Sequence, residues 1–143
     1  MPIANEIQAR KARWCDFLEN RNCPRHLFII TCEQDQQIRP KLWPECAAER
    51  VEWAWTRYSR TREQMAWLED DSLPYLDMLT GTEIFAEAFG CEVYRPLDNN
   101  PFALPLVHSA REAAHIRPVD LCSSTLTRLF DMADRLHDRA GEE

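Results

Sequence analysis

DSLPYLDMLTGTEIFAEAFGCEVY, residues 71–94, is the stretch whose reading decides the fold. Between Ser72 and Met78, Leu73, Tyr75 or Leu76 and Met78 alternate with smaller or polar residues, and Pro74 stands near the start, where a strand tolerates it. The pattern predicts a short buried strand. Thr80-Gly81-Thr82-Glu83 then has the spacing of a capping box, with the Thr80 hydroxyl accepting from the Glu83 amide and the Glu83 carboxylate reaching back. A helix is expected from there, with Ile84, Phe85, Ala88 and Phe89 as its apolar stripe and Gly90 as the left-handed residue that ends it. Cys91 to Arg95 reads as extended again.

Outward from this stretch, a first amphipathic helix is expected from an Asn5 cap to about Asn20, with Ile7, Trp14, Phe17 and Leu18 on one face. After Pro24, His26-Leu27-Phe28-Ile29-Ile30-Thr31-Cys32 is a continuous apolar, β-branched run, the signature of a parallel strand buried on both faces. Pro44 suits a first helical turn. Ala47, Val51, Ala54, Trp55, Tyr58, Met65 and Leu68 recur at helical steps to about Glu69, predicting the longest helix. Its Trp53, Trp55 and Trp67 cannot share one face, so at least one meets a loop or a partner.

Beyond Arg95, Pro96, Pro101 and Pro105 argue against regular pairing as far as Leu106. Ser109-Ala110-Arg111-Glu112 is a second capping box, opening a helix that ends by Pro118. Ser123 or Ser124 caps a last helix carrying Leu126, Leu129, Phe130, Ala133 and Leu136, stopped at Gly141. Two alternations of apolar strand and helix imply βαβ units, a parallel sheet and right-handed crossovers.

The chain has 143 residues, 45% hydrophobic and 29% charged, which suits one globular domain over 1–143. A formal charge of −7 argues against nucleic acid as a partner, since that needs a basic face. No apolar run has signal-peptide or membrane-spanning length, so a cytoplasmic location and no membrane partner are expected. The six cysteines, scattered without a CxxC pair, suit reduced thiols. Cys23, His26 and Cys32 could form a zinc site only with an unusual spacing. All cations but Lys11 and Lys41 are arginines, either for bidentate contacts to carboxylates and phosphates or through composition bias.

At TGTEIFAEAFGCEVYRPLDNNPFALPLV the chain resembles the N-terminal part of uroporphyrinogen decarboxylase-like proteins. The family shows there a helix ending in Ala-hydrophobic-Gly-hydrophobic-Glu-Val and then an extended arm with prolines, and Ala88-Phe89-Gly90-Cys91-Glu92-Val93 fits it. The similarity runs on through the Pro118–Glu143 helix and, more loosely, back to His26–Cys32. The resemblance implies the N-terminal portion of a (β/α)₈ TIM barrel, about two to three β/α units with an N-terminal helix and long helices flanking parallel strands. A whole barrel takes about 250 residues, so the chain is expected to be an incomplete piece, inactive alone.

The substrate implied is a tetrapyrrole to be decarboxylated, or a methyl group carried on a corrinoid. The decarboxylases use no cofactor, whereas the related methyltransferases use zinc and a corrinoid, with ligands in a C-terminal half that would exist only in a full-length form. Two departures stand out. The family's arginine-rich loop is here EQDQQIR, with Arg39 alone to meet a substrate carboxylate. Its essential aspartate, which stabilises the positive charge that develops on ring protonation, aligns without gaps to Gly81, and the nearest acid upstream is Asp77.

Asp77 is therefore the candidate acid or hydrogen-bond acceptor, or else a loop cap. Thr80, Gly81 and Thr82 are candidate substrate-binding residues at a helix N-terminus, or simply its capping turn. Glu83 is assigned to the capping box, and His108 and His115 are read as structural. The alternative function is a non-catalytic α/β interaction module that docks through exposed strand edges and tryptophans, and a homodimer would cover such edges.

Overall fold

Each helix expected from the sequence forms, though the one predicted after Pro44 and the one predicted after Ser109 stop short of their expected ends. The computed structural model describes residues 3–19, 25–31, 38–122 and 124–141. In order these form α1 (Ile3–Leu18), a 3₁₀ turn (Pro44–Cys46), α2 (Ala47–Gln64), α3 (Glu83–Ala88), β1 (Val93–Tyr94), β2 (Phe102–Ala103), α4 (Ala110–Ala113) and α5 (Ser124–Ala140). The chain divides into two compact units, one from Met1–Arg39 and Trp53–Asp77, the other from Pro40–Glu52 and Met78–Gly141. Helix α2 thus gives its first turns to the second unit and the remainder to the first.

The expected parallel sheet is absent, and the reading as the opening of a TIM barrel is overturned. Among the described residues the two strands, β1 and β2, pair antiparallel, with Val93 opposite Ala103 and Tyr94 opposite Phe102. The runs read as parallel strands, His26–Cys32 and Ser72–Met78, carry no strand among their described residues. A single backbone hydrogen bond, from Asp71 N–H to the Phe28 carbonyl at 2.9 Å, joins the first run to the start of the second. The physical reason is competition. A parallel ladder needs evenly spaced backbone bonds, but the amides of Phe28 and Ile30 donate instead to the side chains of Asp71 and Asp70, and Pro74 has no amide to give.

In the first unit, α1 starts at Ile3 rather than after an Asn5 cap, and only Ile7 and Trp14 of its expected apolar face are partly buried. Phe17 and Leu18 are exposed, while the buried residue of the helix is Arg10. The long helix stops at Gln64, short of Glu69, and bonds from Met65 to Thr61 and from Leu68 to Gln64 carry the chain into a tight turn.

The second unit buries Ala88 with Leu126 and Leu129, and Ile84 packs on them; of the stripe read for α5, Leu126, Leu129 and Leu136 are buried, but Phe130 is exposed and Met132 is buried instead. Gly90, at φ 96°, ends α3 as expected. Prolines did not prevent pairing beyond Arg95. Phe102 and Ala103 lie between Pro101 and Pro105 and keep their own amides, and Leu104 adds a bond to the Glu92 carbonyl at 2.8 Å. At α4 the second capping box forms, the Ser109 hydroxyl accepting from Glu112 N–H while the Glu112 carboxylate accepts from His108 N–H, one residue further out than expected. Asn20, Cys23, Pro24, Cys32, residues 33–37 and Ser123 lie outside the described residues, and with them most of the zinc trio. No helix among the described residues is long and apolar enough to cross a membrane.

Candidate functional site

Two polar centres are built by this fold, one in each unit. In the first unit, the turn that ends α2 delivers Asp70 and Asp71, adjacent and both with fully buried side chains. Asp70 Oδ1 accepts from Arg10 Nη1 at 2.9 Å and from the Ser72 hydroxyl at 2.7 Å, and Oδ2 accepts from Ile30 N–H at 2.9 Å. Arg10, 2% exposed, also donates to the Leu68 and Ser72 carbonyls and to Glu6. Asp71 takes a two-pronged contact from Arg25, both bonds 2.7 Å, and further bonds from Arg13 Nε and Phe28 N–H. The Trp14 indole closes the ring by donating to the Asp71 carbonyl at 2.7 Å.

Burial alone would push both aspartic acids up. In Asp70 that effect is outweighed by hydrogen bonds from Ile30 and Ser72 and by the Arg10 charge, and in Asp71 by those from Arg25, Phe28 and Arg13, so both end below the usual carboxylate range. Glu6 is also lowered, chiefly by the Arg10 hydrogen bond. All three stay ionised at neutral pH. They can hold charge in place but cannot donate a proton, so the cluster is a clamp rather than an acid catalyst. A cavity of about 470 Å³ lies beside it, lined by Glu6, Arg10, Arg13, Arg25, Trp67 and Asp70 among others.

The second centre surrounds the predicted site residues Thr80, Gly81 and Thr82. Leu79 is held at φ 52° and only 1% exposed. The left-handed conformation costs a leucine about 1–2 kcal/mol, offset here by burial and by Arg50, which donates to the Met78 carbonyl at 2.9 Å and the Leu79 carbonyl at 2.6 Å. Both threonines are exposed, and the capping box at this helix does not form. Thr82 is the cap position, in a helical conformation, with no side-chain hydrogen bond. The Glu83 carboxylate folds instead against Gly81, where an added Cβ would meet the end of that flexible side chain. Gly81 thus leaves room for the carboxylate and is not held at a positive φ.

Glu83 is 5% exposed, and its Oε2 has no hydrogen-bond partner. It lines a cavity of about 10 Å³ together with Arg50, Glu87, Arg95, Thr125 and Arg128. Around it, Glu87 pairs with Arg95 at 3.6 Å and accepts from the Thr125 hydroxyl, to which Arg128 also donates. Arg95 Nε is buried without a partner.

Of the other sequence candidates, Asp77 belongs to the first unit, where Arg57 pairs with it at 3.4 Å and lies over the Trp53 and Tyr75 rings. That is a half-exposed ion pair, not an acid poised in a pocket. Arg39, also in the first unit, is exposed and makes no hydrogen bond or ion pair among the described residues. No group of three or more His, Cys, Asp or Glu side chains among the described residues could hold a metal ion. Sequence reading missed Arg10, Arg50, Asp70 and Asp71. One signal was present, because Arg10 falls on the helical stripe of Ile3, Ile7 and Trp14, and an arginine on an apolar stripe needs a buried acid.

No family model, curated protein or solved structure matches the chain.

Proposed function

We propose that the chain is one part of a uroporphyrinogen decarboxylase-like enzyme, acting on a tetrapyrrole or on a corrinoid-borne methyl group, and that the described residues do not catalyse alone. The observation that carries this is local. The segment that resembles the family has its helix end at Ala88, its Gly90 turn, its extended Val93–Tyr94 and its proline-bearing arm. The idea of incompleteness is supported by Phe28, Ile29 and Ile30, which the described residues leave about half uncovered. In the second unit, the exposed Thr80 and Thr82 are the groups left to meet a substrate.

Anaerobic titration tests the proposal. The visible bands of a corrinoid and quenching of tryptophan fluorescence by a porphyrinogen both report binding, and a saturable response to either one supports the reading. A flat response to both removes it.

The second reading is a non-catalytic interaction module. It is favoured by the same uncovered apolar run together with Trp67, which is also exposed. A protein that binds neither compound yet forms a defined assembly would select it.

A further inference from the structure

We propose that α1 is a strap that undocks from the first unit as one body, opening the cavity beside the Asp70–Asp71 cluster while the rest of the chain stays folded. The proposal is independent of the tetrapyrrole reading. It starts from how the helix is fastened. Arg10, Arg13 and Trp14 stand three and four residues apart, so they share one helical face, and all three land on residues 68–72. Arg10 donates to the Leu68 and Ser72 carbonyls and to Asp70 Oδ1, Arg13 Nε to Asp71 Oδ1, and the Trp14 indole to the Asp71 carbonyl.

Apolar burial adds little to these bonds. No apolar side chain of α1 is fully buried, since Ile7 and Trp14 are partly covered and Ile3, Phe17 and Leu18 are exposed. By contrast α2 buries Val51 and Ala54, and α5 buries Leu126, Leu129, Met132 and Leu136. A helix held by apolar burial cannot leave without exposing that surface to water. One held by hydrogen bonds and ion pairs can, because water replaces each bond and hydrates both charges, and a buried ion pair gains little over its separated, hydrated members. Removing one partner is the costlier event, since the other charge then stays buried.

The release uncovers a definite surface. α1 supplies Ile3, Glu6, Arg10 and Arg13 to the wall of the cavity of about 470 Å³, and residues 65–70 supply the facing wall. With α1 away the cavity becomes an open face. Glu6 leaves together with Arg10, its partner on the same helix, whereas Asp71 keeps Arg25 and the Phe28 amide. The bonds from Asp71 N–H to the Phe28 carbonyl and from Ile30 N–H to Asp70 involve no residue of α1, so the turn stays tied to that run.

Native-state hydrogen exchange on the whole chain at neutral pH is the test. A helix of this length is marginal in water once detached. The amides of α1 from Ile7 onward should therefore exchange through one shared opening, at least about tenfold more readily than those of residues 51–54 and 126–136. The Trp14 indole N–H should exchange with them. Arg13→Met removes one fastening and should raise the α1 opening about tenfold, with α5 unchanged. Added salt, which favours the separated charges, should act in the same direction. Exchange of α1 only together with α2 and α5, stepwise fraying from its two ends, or an Arg13→Met effect equal in every helix overturns the proposal.

Discussion

Asp70 and Asp71 in one unit and Glu83 in the other are all buried acids, but they are buried on different terms. Each aspartate oxygen is met by a guanidinium, a hydroxyl or a backbone amide. Glu83 Oε2 has no partner and lies folded against Gly81. A buried charge costs several kcal/mol in lost hydration, and what distinguishes a structural acid from a destabilising one is whether hydrogen bonds and counter-charges return that free energy. The difference teaches that burial by itself does not mark a functional carboxylate, and that its partners must be counted.

The largest effect expected is at the first cluster. Asp70→Ala removes the fully buried one of the two carboxylates on the Arg10 guanidinium, 2% exposed, leaves it only the partly exposed Glu6, and should destabilise by roughly 3–5 kcal/mol in chemical denaturation. If Asp70→Ala and Glu83→Ala were equally damaging, the comparison would fail.

Acid should dissolve the first cluster next. At neutral pH Asp70, Asp71 and Glu6 are ionised in both folded and unfolded chains. As pH falls through the ordinary carboxylate range near ~4, the unfolded chain takes up protons first, because the folded acids are lowered. Stability is therefore fully present above that range and is lost on the way down to the folded values. Thermal melts from pH 7 to 3 should show this loss, and Asp71→Asn should make it shallower.

At the second centre, Gly81→Ala should cost less than about 1 kcal/mol, because the added Cβ meets only the end of the flexible Glu83 side chain, which can move aside. A double-mutant cycle sharpens the assignment, since in a Glu83→Ala background the same change should cost almost nothing. The smallest effect is expected for Glu83→Gln, within about 1 kcal/mol, because the buried Oε2 has no hydrogen bond to lose. A loss as large as that of Asp70→Ala would mean that Glu83 has a charged partner.

Much of the local anatomy was legible. The end of α3 at Gly90, the Ser109 cap, the Leu126–Leu129–Leu136 stripe and the 3₁₀ start at Pro44 follow from short-range rules, where a few consecutive residues decide the backbone. The candidate site was legible only in position. Gly81 was singled out, but its role came from the Glu83 side chain rather than from its own dihedral angles. The Thr80 capping box had the right letters, and the Glu83 carboxylate went elsewhere.

By itself, the sequence determined which segments coil and that α3 ends at Gly90, because helix propensity and caps act within a few residues. Tertiary structure alone decided what the extended runs pair with. Asp70 and Asp71 compete for the amides a strand neighbour would have used, and that competition joins residues about forty positions apart in the chain. No local pattern encodes it, so an apolar run that reads as the centre of a sheet is instead held along one edge by acids.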